Sequence, residues 1–526
     1  MDLSEAVTPS TDDDRPASET GLAATKGSSR WPTVAVVVVL ALGVVARFVT
    51  ISHLWLDEAQ TVAISSLPLG DIFEALRHDG APPLFYVILH GWMEIFGTGE
   101  LSTRFLPGLF AVAALPLAWL AGRRLGGTGV AWAAVLLLAS SPFAVRYATE
   151  ARMYSMVVLL VLVGYLAAWQ LFERPSSMRA AVGVGLVTGA LLLTHYWSLY
   201  LVFVVGAAFL VIAKRGDGLA RAAARRGLFA MAVGSLVFVP WLPTFFYQLQ
   251  HTGTPWGGPG KIRTVFDTIT SFAGGYWDPG LMLGALYFAL TALALMGRAI
   301  DGRRIEIDLY TRPPGRHLFV IGFGTLVVAI LATVIGRSAF AVRYASVVFP
   351  MALLLVALGT EVILDRRILH GVLAVAVVAG FWSIAPNVLV DRTSAPRAAK
   401  VLEKGVVAGD VVAYCPDQLG PSVSRLLPDG IDQLTFPRAT PPQVVDWVDY
   451  ATVNEAAEPE PFAGMLVERS GPGGTVWLVW APGYRTYEDK CAALIGELDE
   501  LRPNNTRALK LPKAFEKTGV VRFAPN

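Results

Sequence analysis

Pro32–Ile51, PTVAVVVVLALGVVARFVTI, is a run of 20 residues whose only charge is Arg47. At about 1.5 Å of rise per residue, a helix of that length crosses a bilayer core of roughly 30 Å. The run is too long for the apolar region of a signal peptide. Ser52-His53-Leu54-Trp55 follows it, where a cleaved leader would need small residues. It therefore reads as a retained first membrane span. Ten further apolar runs lie near 104–122, 129–146, 153–171, 180–194, 197–213, 228–247, 280–298, 317–336, 344–363 and 369–390, making about eleven spans. Composition agrees, because 54% of the 526 residues are hydrophobic and 16% charged, against about 25% charged in soluble domains. Such a chain is not dominated by disorder. A net charge of +2 offers no basic field for nucleic acid. Cys415 and Cys491 are too few for a metal cluster or a disulfide framework.

Charge sets the expected orientation. Residues 1–30 are polar and read as a disordered cytoplasmic tail, and 31–390 as the membrane domain. The run 82–97 is short and broken by His90 and Glu94. If it does not span, pairs such as Arg123-Arg124, Arg225-Arg226, Arg303-Arg304 and Arg366-Arg367 all fall in cytoplasmic loops. The opposite loops, about twice as long, then hold roughly half as many Lys and Arg, the positive-inside bias. Residues 82–97 are accordingly expected to lie along the outer interface as an amphipathic helix. Trp55, Tyr86, Trp92, Tyr147, Tyr196, Trp256 and Tyr344 gather at the outer span ends, as an aromatic belt does. The count places 391–526 outside. Short apolar runs at 410–415, 463–467 and 475–480 read there as strands, and 422–427 and 487–501 as helical, so a small α/β domain is expected. Cys415 and Cys491 could pair in an oxidising compartment, although spacing alone does not bring them together.

Ionisable groups near hydrocarbon are costly, so their placement is informative. Five outer groups stand out. Asp57-Glu58 follows the first span; adjacent acids repel, and a partly desolvated one with a raised pKa suits a general base, while solvated loop acids are the bland reading. Arg77-His78-Asp79-Gly80-Ala81-Pro82-Pro83 leads into the interfacial helix with Tyr86; His78 and Asp79 suit substrate hydrogen bonds or a metal, and a plain helix-entry turn explains the prolines equally well. Arg146-Tyr147-Ala-Thr-Glu150-Ala-Arg152 is either a self-satisfied ion-pair cluster or a second acid that joins Asp57 at the same face. His195-Tyr196 sits in a tight hairpin and is structural as readily as functional. Arg337 and Arg343 bound a short loop; a planar guanidinium fork suits a lipid phosphate, and interfacial snorkelling is the alternative.

Leu56-Asp57-Glu58-Ala59, then Asp79-Gly80-Ala81-Pro82-Pro83-Leu84-Phe85-Tyr86 with His90-Gly91-Trp92, then Tyr147-Ala-Thr-Glu150-Ala-Arg152-Met-Tyr154, then His195-Tyr196, then Arg343-Tyr344 with Pro350 carry a resemblance over about residues 32–390. In order and spacing they resemble the GT-C membrane glycosyltransferases, on the bacterial branch related to protein O-mannosyltransferases and the lipid A aminoarabinose transferase. The resemblance implies a mainly α, polytopic fold in the plasma membrane, with the N-terminus cytoplasmic and the C-terminal domain extracytoplasmic. It implies transfer of a sugar, mannose by association, from a polyprenyl-phosphate carrier to a hydroxyl of a protein, glycolipid or polysaccharide. Asp57 maps onto the catalytic base with Glu58 beside it, Glu150 onto the acid of the second outer loop, and Arg343 onto the phosphate-holding arginine, with Arg337 near it. His78, Asp79, Tyr86, Arg146, Arg152, His195 and Tyr196 are then expected around the substrates. Members of the group differ in metal dependence, so a divalent metal on Asp57 and Glu150 stays open.

Two rival readings make distinct predictions. A transporter or flippase of a lipid-linked sugar would set charges near mid-bilayer and break helices there. A glycan-binding membrane protein without catalysis would tolerate replacement of Asp57.

Overall fold

The computed structural model describes residues 31–253, 257–336 and 338–525. The tail read over 1–30, Trp256 and Arg337 therefore lie outside the described residues. From the first span the chain runs through α1 (Trp31–Ala46), α2 (Leu56–Ser65), α3 (Leu69–Asp79), α4 (Leu84–Phe96), α5 (Glu100–Ala139), α6 (Pro142–Ala148), α7 (Tyr154–Glu173), α8 (Met178–Thr194), α9 (Ser198–Arg215) and α10 (Gly218–Ser235). It continues through α11 (Leu242–His251), α12 (Arg263–Phe272), α13 (Asp278–Met296), a hairpin of β1 (Gly297–Ala299) and β2 (Ile305–Ile307), α14 (Pro313–Ile335), α15 (Phe349–Gly359) and α16 (Arg366–Leu389).

All eleven apolar runs fall on helices. Seven of the described helices are long and apolar enough to cross a membrane, and Thr33–Ala46, Met178–Thr194 and Phe349–Val362 are shorter apolar helices. The tally closes at α5, which holds two arms. Its backbone leaves helical geometry at Gly126 and Gly127, the latter at φ +75°, where a side chain would strain the turn. The arms fold back closely enough that a Cβ on Gly122 would lie 2.9 Å from Ala131. The same device packs α8 on α10, where a Cβ on Gly234 would approach the Gly185 carbonyl to 2.0 Å.

The segment 82–97, expected as an interfacial helix, forms the helix α4, Leu84–Phe96. It has company that the sequence did not announce. α2 and α3 precede it, and Ile64, Ile72, Leu76, Phe85 and Leu89 share one buried cluster with Tyr154 and Trp241. The run read as a span over 129–146 stops at Ala139, and Pro142 starts the separate helix α6, capped by Ser141.

The C-terminal unit follows α16: α17 (Ala395–Gly405), β3 (Val411–Cys415), α18 (Gly420–Ser424), β4 (Asp432–Thr435), α19 (Tyr450–Ala456), α20 (Pro459–Ser470), β5 (Val476–Trp480), α21 (Lys490–Leu501), β6 (Asn505–Leu509) and β7 (Gly519–Phe523). Its sheet has the order β4-β3-β5-β7-β6, with β3 parallel to β4 and β5, and β7 antiparallel to β5 and β6. β3 is buried at every position, as a central parallel strand covered on both faces should be. The strand expected at 463–467 is a correction. It lies inside α20, where Pro459 opens the helix and Phe462, Ala463 and Leu466 form one buried face. Five apolar residues fit either period, and the helical one won. Cys415 and Cys491 are joined, closing a separation of 76 residues at the end of β3.

Trp55 and Leu56, from the membrane domain, belong to the same apolar cluster as Val411, Cys415, Leu478 and Phe523 of this sheet. The C-terminal unit is therefore seated on the start of α2. Replacing both cysteines by alanine is expected to destabilise this unit by about 2–5 kcal/mol, since the open loop regains chain entropy. Thermal melts followed through tryptophan fluorescence, with and without reductant, measure it; wild-type and variant melts that coincide under oxidising conditions would refute it.

Candidate active site

Neighbouring side chains on a helix leave it about 100° apart, so Asp57 and Glu58 in the first turn of α2 face different surroundings. Asp57 turns to Arg343, whose Nη1 lies 3.3 Å from its Oδ2. That oxygen accepts no hydrogen bond among the described residues. The Arg343 guanidinium also sits 5.7 Å from the Trp55 ring and 5.7 Å from that of Tyr344. Burial alone would lower Arg343, but Asp57 and the nearby tyrosines outweigh it, so it remains firmly a cation.

A polar chain runs on from Asp57. Arg152 donates through Nη1 to Thr61 Oγ1 at 2.7 Å and to the Tyr86 hydroxyl at 3.2 Å, and reaches the Asp57 carbonyl at 3.5 Å. Tyr86 donates to Asp79 Oδ2 at 2.7 Å, and Gln60 donates to Asp79 Oδ1. Burial raises the Asp79 carboxyl above its ordinary range, with Arg152 and Tyr86 pulling the other way. His195 borders the group with its ring 5.2 Å from Tyr344 and 5.9 Å from Tyr154. Burial, helped by Arg152 and Arg343, pushes its pKa down to about 3, so it is a neutral imidazole whose Nδ1 accepts the Trp197 N–H.

Glu58 enters a second network. Arg104 grips it with both arms of the fork, Nε to Oε1 at 2.7 Å and Nη2 to Oε2 at 2.6 Å, and the Ala151 N–H donates to Oε1 at 2.9 Å. Arg392 stands 3.9 Å from Glu58 and 3.9 Å from Glu150. Arg146 completes the group, 3.3 Å from Glu150. Burial pushes both carboxyls up. At Glu58 the Arg104 fork, Arg392 and Ala151 overcome it and hold the group below its usual value. At Glu150 burial prevails over Arg146, with Glu58 adding repulsion, and the carboxyl stands above it.

Glu58 is therefore not the raised acid expected of the Asp57-Glu58 pair. The two do not share a site, and within these two networks burial raises Asp79 and Glu150. The structure brings Asp57, Arg343, Arg152, Tyr86, Asp79 and His195 together, with Glu58, Glu150 and Arg146 in the adjoining network. It does not bring in His78, whose Nδ1 lies 3.0 Å from Asp446 of the C-terminal unit. Nor does it bring in Tyr196, which donates to Gln248 on α11 and accepts from Trp241 at 2.9 Å. Arg337 lies outside the described residues. Sequence reasoning missed Arg104, Arg392 and Gln60. Arg104 opens a run read as a span, and a charge at a span's edge was the available signal.

Asp57 and Glu150, the candidate metal ligands, each face an arginine. No group of three or more His, Cys, Asp or Glu side chains among the described residues is placed to hold a metal ion. The donor set as it stands does not fit a divalent cation, because guanidinium groups already neutralise the acids.

A narrow apolar cavity of about 100 Å³ lies between α12, α13, α14 and α15, lined by Phe272, Tyr287, Phe319, Phe323 and Phe349. Rings in contact lead from it to the site: Phe349 to Phe143 at 4.9 Å, Phe143 to Tyr147 at 4.7 Å, and Tyr147 to Tyr154 at 4.9 Å.

Comparison with known proteins follows this geometry. Residues 80–243 match the family described as dolichyl-phosphate-mannose-protein mannosyltransferase. No curated protein matches at significant similarity. Among solved structures, the chain is similar to ArnT from Cupriavidus metallidurans bound to undecaprenyl phosphate, with a TM-score of 0.60 at 14% identity over 94% of this chain and 99% of that one. The apo form of the same protein gives 0.61 at 13% identity, over 94% and 98%. The Archaeoglobus fulgidus oligosaccharyltransferase in complex with Zn and sulfate gives 0.52 at 12% identity, over 85% and 67%. The chain has the GT-C fold that its outer motifs resembled.

The Glu58–Arg104 grip carries its own test. Glu58→Ala leaves two buried guanidinium groups short of a counter-charge, and a loss of about 3–5 kcal/mol is expected. Thermal unfolding in detergent, with limited proteolysis at 53–66, reports it, and an unchanged melt would rule the brace out.

Proposed function

We propose that the protein is an inverting glycosyltransferase that moves a sugar, mannose first among candidates, from a polyprenyl-phosphate carrier to an acceptor hydroxyl. The observation that carries this reading is the Asp57–Arg343 contact, which sets a carboxylate oxygen with no hydrogen bond among the described residues beside a permanent cation. The match to the mannosyltransferase family over 80–243 and the undecaprenyl phosphate bound by ArnT support it, as does the dolichol-phosphate in the complex of Archaeoglobus AglB.

The chemistry divides between those two residues. The acceptor hydroxyl gives its proton to Asp57 as its oxygen attacks the anomeric carbon. The bond from that carbon to the phosphate oxygen breaks, and its electron pair leaves on the phosphate. The phosphate is a weak base, so Arg343 can receive the developing charge without a general acid. Attack opposite the leaving group inverts the configuration. Arg152 reaches the Asp57 carbonyl and is itself steadied by Tyr86, and the apolar cavity behind the line of aromatic rings suits the carrier's isoprenoid chain. A transporter would need charges at mid-bilayer, whereas these meet under the C-terminal unit.

That face is extracytoplasmic in this reading. The arginine-rich loops belong to the other side, and the Cys415–Cys491 bond suits an oxidising compartment. The acceptor is a protein, glycolipid or polysaccharide of that compartment.

Purified protein given a radiolabelled polyprenyl-phosphate mannose tests the assignment. Asp57→Asn is expected to lower kcat by about 10²–10⁴. Arg343→Ala is expected to cost about 10²–10³ in kcat/KM, most of it if the cation acts on the transition state. Full transfer by the Asp57 variant would remove it as the base. Exhaustive chelation is expected to leave the wild-type rate unchanged, and restoration of a lost rate by a divalent ion would reverse that part.

A further inference from the structure

The first turn of a helix has N–H groups without intrahelical partners, and a side-chain oxygen usually takes one of them. α2 lacks that provision in its own sequence, because Trp55 stands at its N-cap and makes no side-chain cap. The partner comes from the far end of the chain. Glu516 Oε2 accepts the Leu56 N–H at 2.6 Å. We propose that Glu516, on the loop between β6 and β7, is a positioning residue that caps α2 from the C-terminal unit and thereby sets Asp57 for reaction.

Everything around Glu516 fixes its aim. Its Oε1 accepts from Thr393 Oγ1 at 2.6 Å and from Ser422 Oγ at 2.5 Å. Its own N–H donates to the Arg392 carbonyl at 2.8 Å, and its carbonyl accepts the Ser394 N–H at 3.0 Å. The side chain is buried. One residue earlier, the Phe515 ring meets Trp55 edge-on at 5.4 Å, and Trp55 is the ring beside Arg343. One short loop therefore touches the helix that carries the acid, the ring beside the phosphate clamp, and the backbone of the arginine that stands between Glu58 and Glu150.

The cap is tunable. An anion at a helix N-terminus is held by the helix dipole and by charge-assisted hydrogen bonds, so the ionised form is the stronger cap. Burial pushes the Glu516 carboxyl up to about 7, against the pull of Ser422, Thr393 and the Leu56 N–H. The ionisable groups facing it are Asp57 on α2, which raises it further, and Tyr484 after β5. The folded-state value is raised, so the group is ionised above about pH 7 and its charge is lost as pH falls below that. Capping strengthens with rising pH.

This inference rests on the assignment of Asp57 above, so its test has two arms. In the first, hydrogen exchange of peptides covering 55–60 is compared at one pH in detergent-solubilised full-length protein. Glu516→Ala should exchange there about tenfold faster, while Glu516→Gln, which keeps an acceptor oxygen, stays within about threefold of wild type. Unchanged exchange in Glu516→Ala overturns the cap whatever the enzyme does. In the second, transfer from polyprenyl-phosphate mannose to octyl mannoside is followed from pH 5.5 to 8.5. Glu516→Ala should lose about tenfold in kcat with donor KM unchanged, and Glu516→Gln should recover most of the rate while losing the limb near pH 7. A limb that persists in Glu516→Gln, or a loss confined to KM, overturns the positioning role. If wild type transfers nothing, the assignment of Asp57 as a base fails, and the exchange arm still decides the cap.

Discussion

A carboxylate taken out of water must meet a cation or surrender its charge, and that constraint organises the membrane face beneath the C-terminal unit. Asp57 and Glu58 follow one another in the chain, yet each needs a different arginine. Arg343 comes from the loop before α15 and Arg104 from the start of α5. Satisfying both pins α2 between distant parts of the bundle. Arg392, just beyond α16, then ties the second pair to Glu150. The result is an alternating set of acids and guanidinium groups in which the Arg104 fork grips both oxygens of Glu58, whereas Asp57 Oδ2 meets Arg343 as an ion pair and accepts no hydrogen bond among the described residues. Such a set is costly to desolvate, so its worth lies in geometry more than in stability.

Much of this was legible before any coordinates. Hydropathy located the apolar helices, since a bilayer demands apolar residues in continuous runs whatever the tertiary context. The break between the runs at 104–122 and 129–146 became the Gly126–Gly127 bend. Asp57, Glu150 and Arg343 were readable because they sit at span ends on one side, and parity alone gathers them. What stayed hidden depended on direction. Nothing in a linear string says that Asp57 and Glu58 diverge, that His78 turns to Asp446, or that Tyr196 serves Gln248. The C-terminal unit was harder still. Its edge strands, DQLT and NTRAL, are polar and short, so neither alternation nor a long apolar run betrays them.

Arginines face the two acids, Asp57 and Glu150, that could have held a metal. A guanidinium holds one charge in a flat fork and cannot be stripped by a chelator, whereas a divalent ion draws several acids around itself. Here Asp57 meets Arg343 and Glu58 meets Arg104, while Arg392 stands between Glu58 and Glu150. Electrostatic preorganisation of this kind needs rigid supports, and the aromatic rings of Trp55, Tyr147, Tyr154 and Tyr344 supply them.

The reach of Glu516 has a consequence for biogenesis. It lies 460 residues beyond Leu56, the amide it caps. During synthesis α2 emerges early, and its first turn lacks this partner until the terminal sheet has been made and folds. A nascent chain stalled anywhere before that last loop has its acids and arginines in the membrane but no finished helix start. The start of α2 is therefore completed only when the last loop of the chain has folded against it.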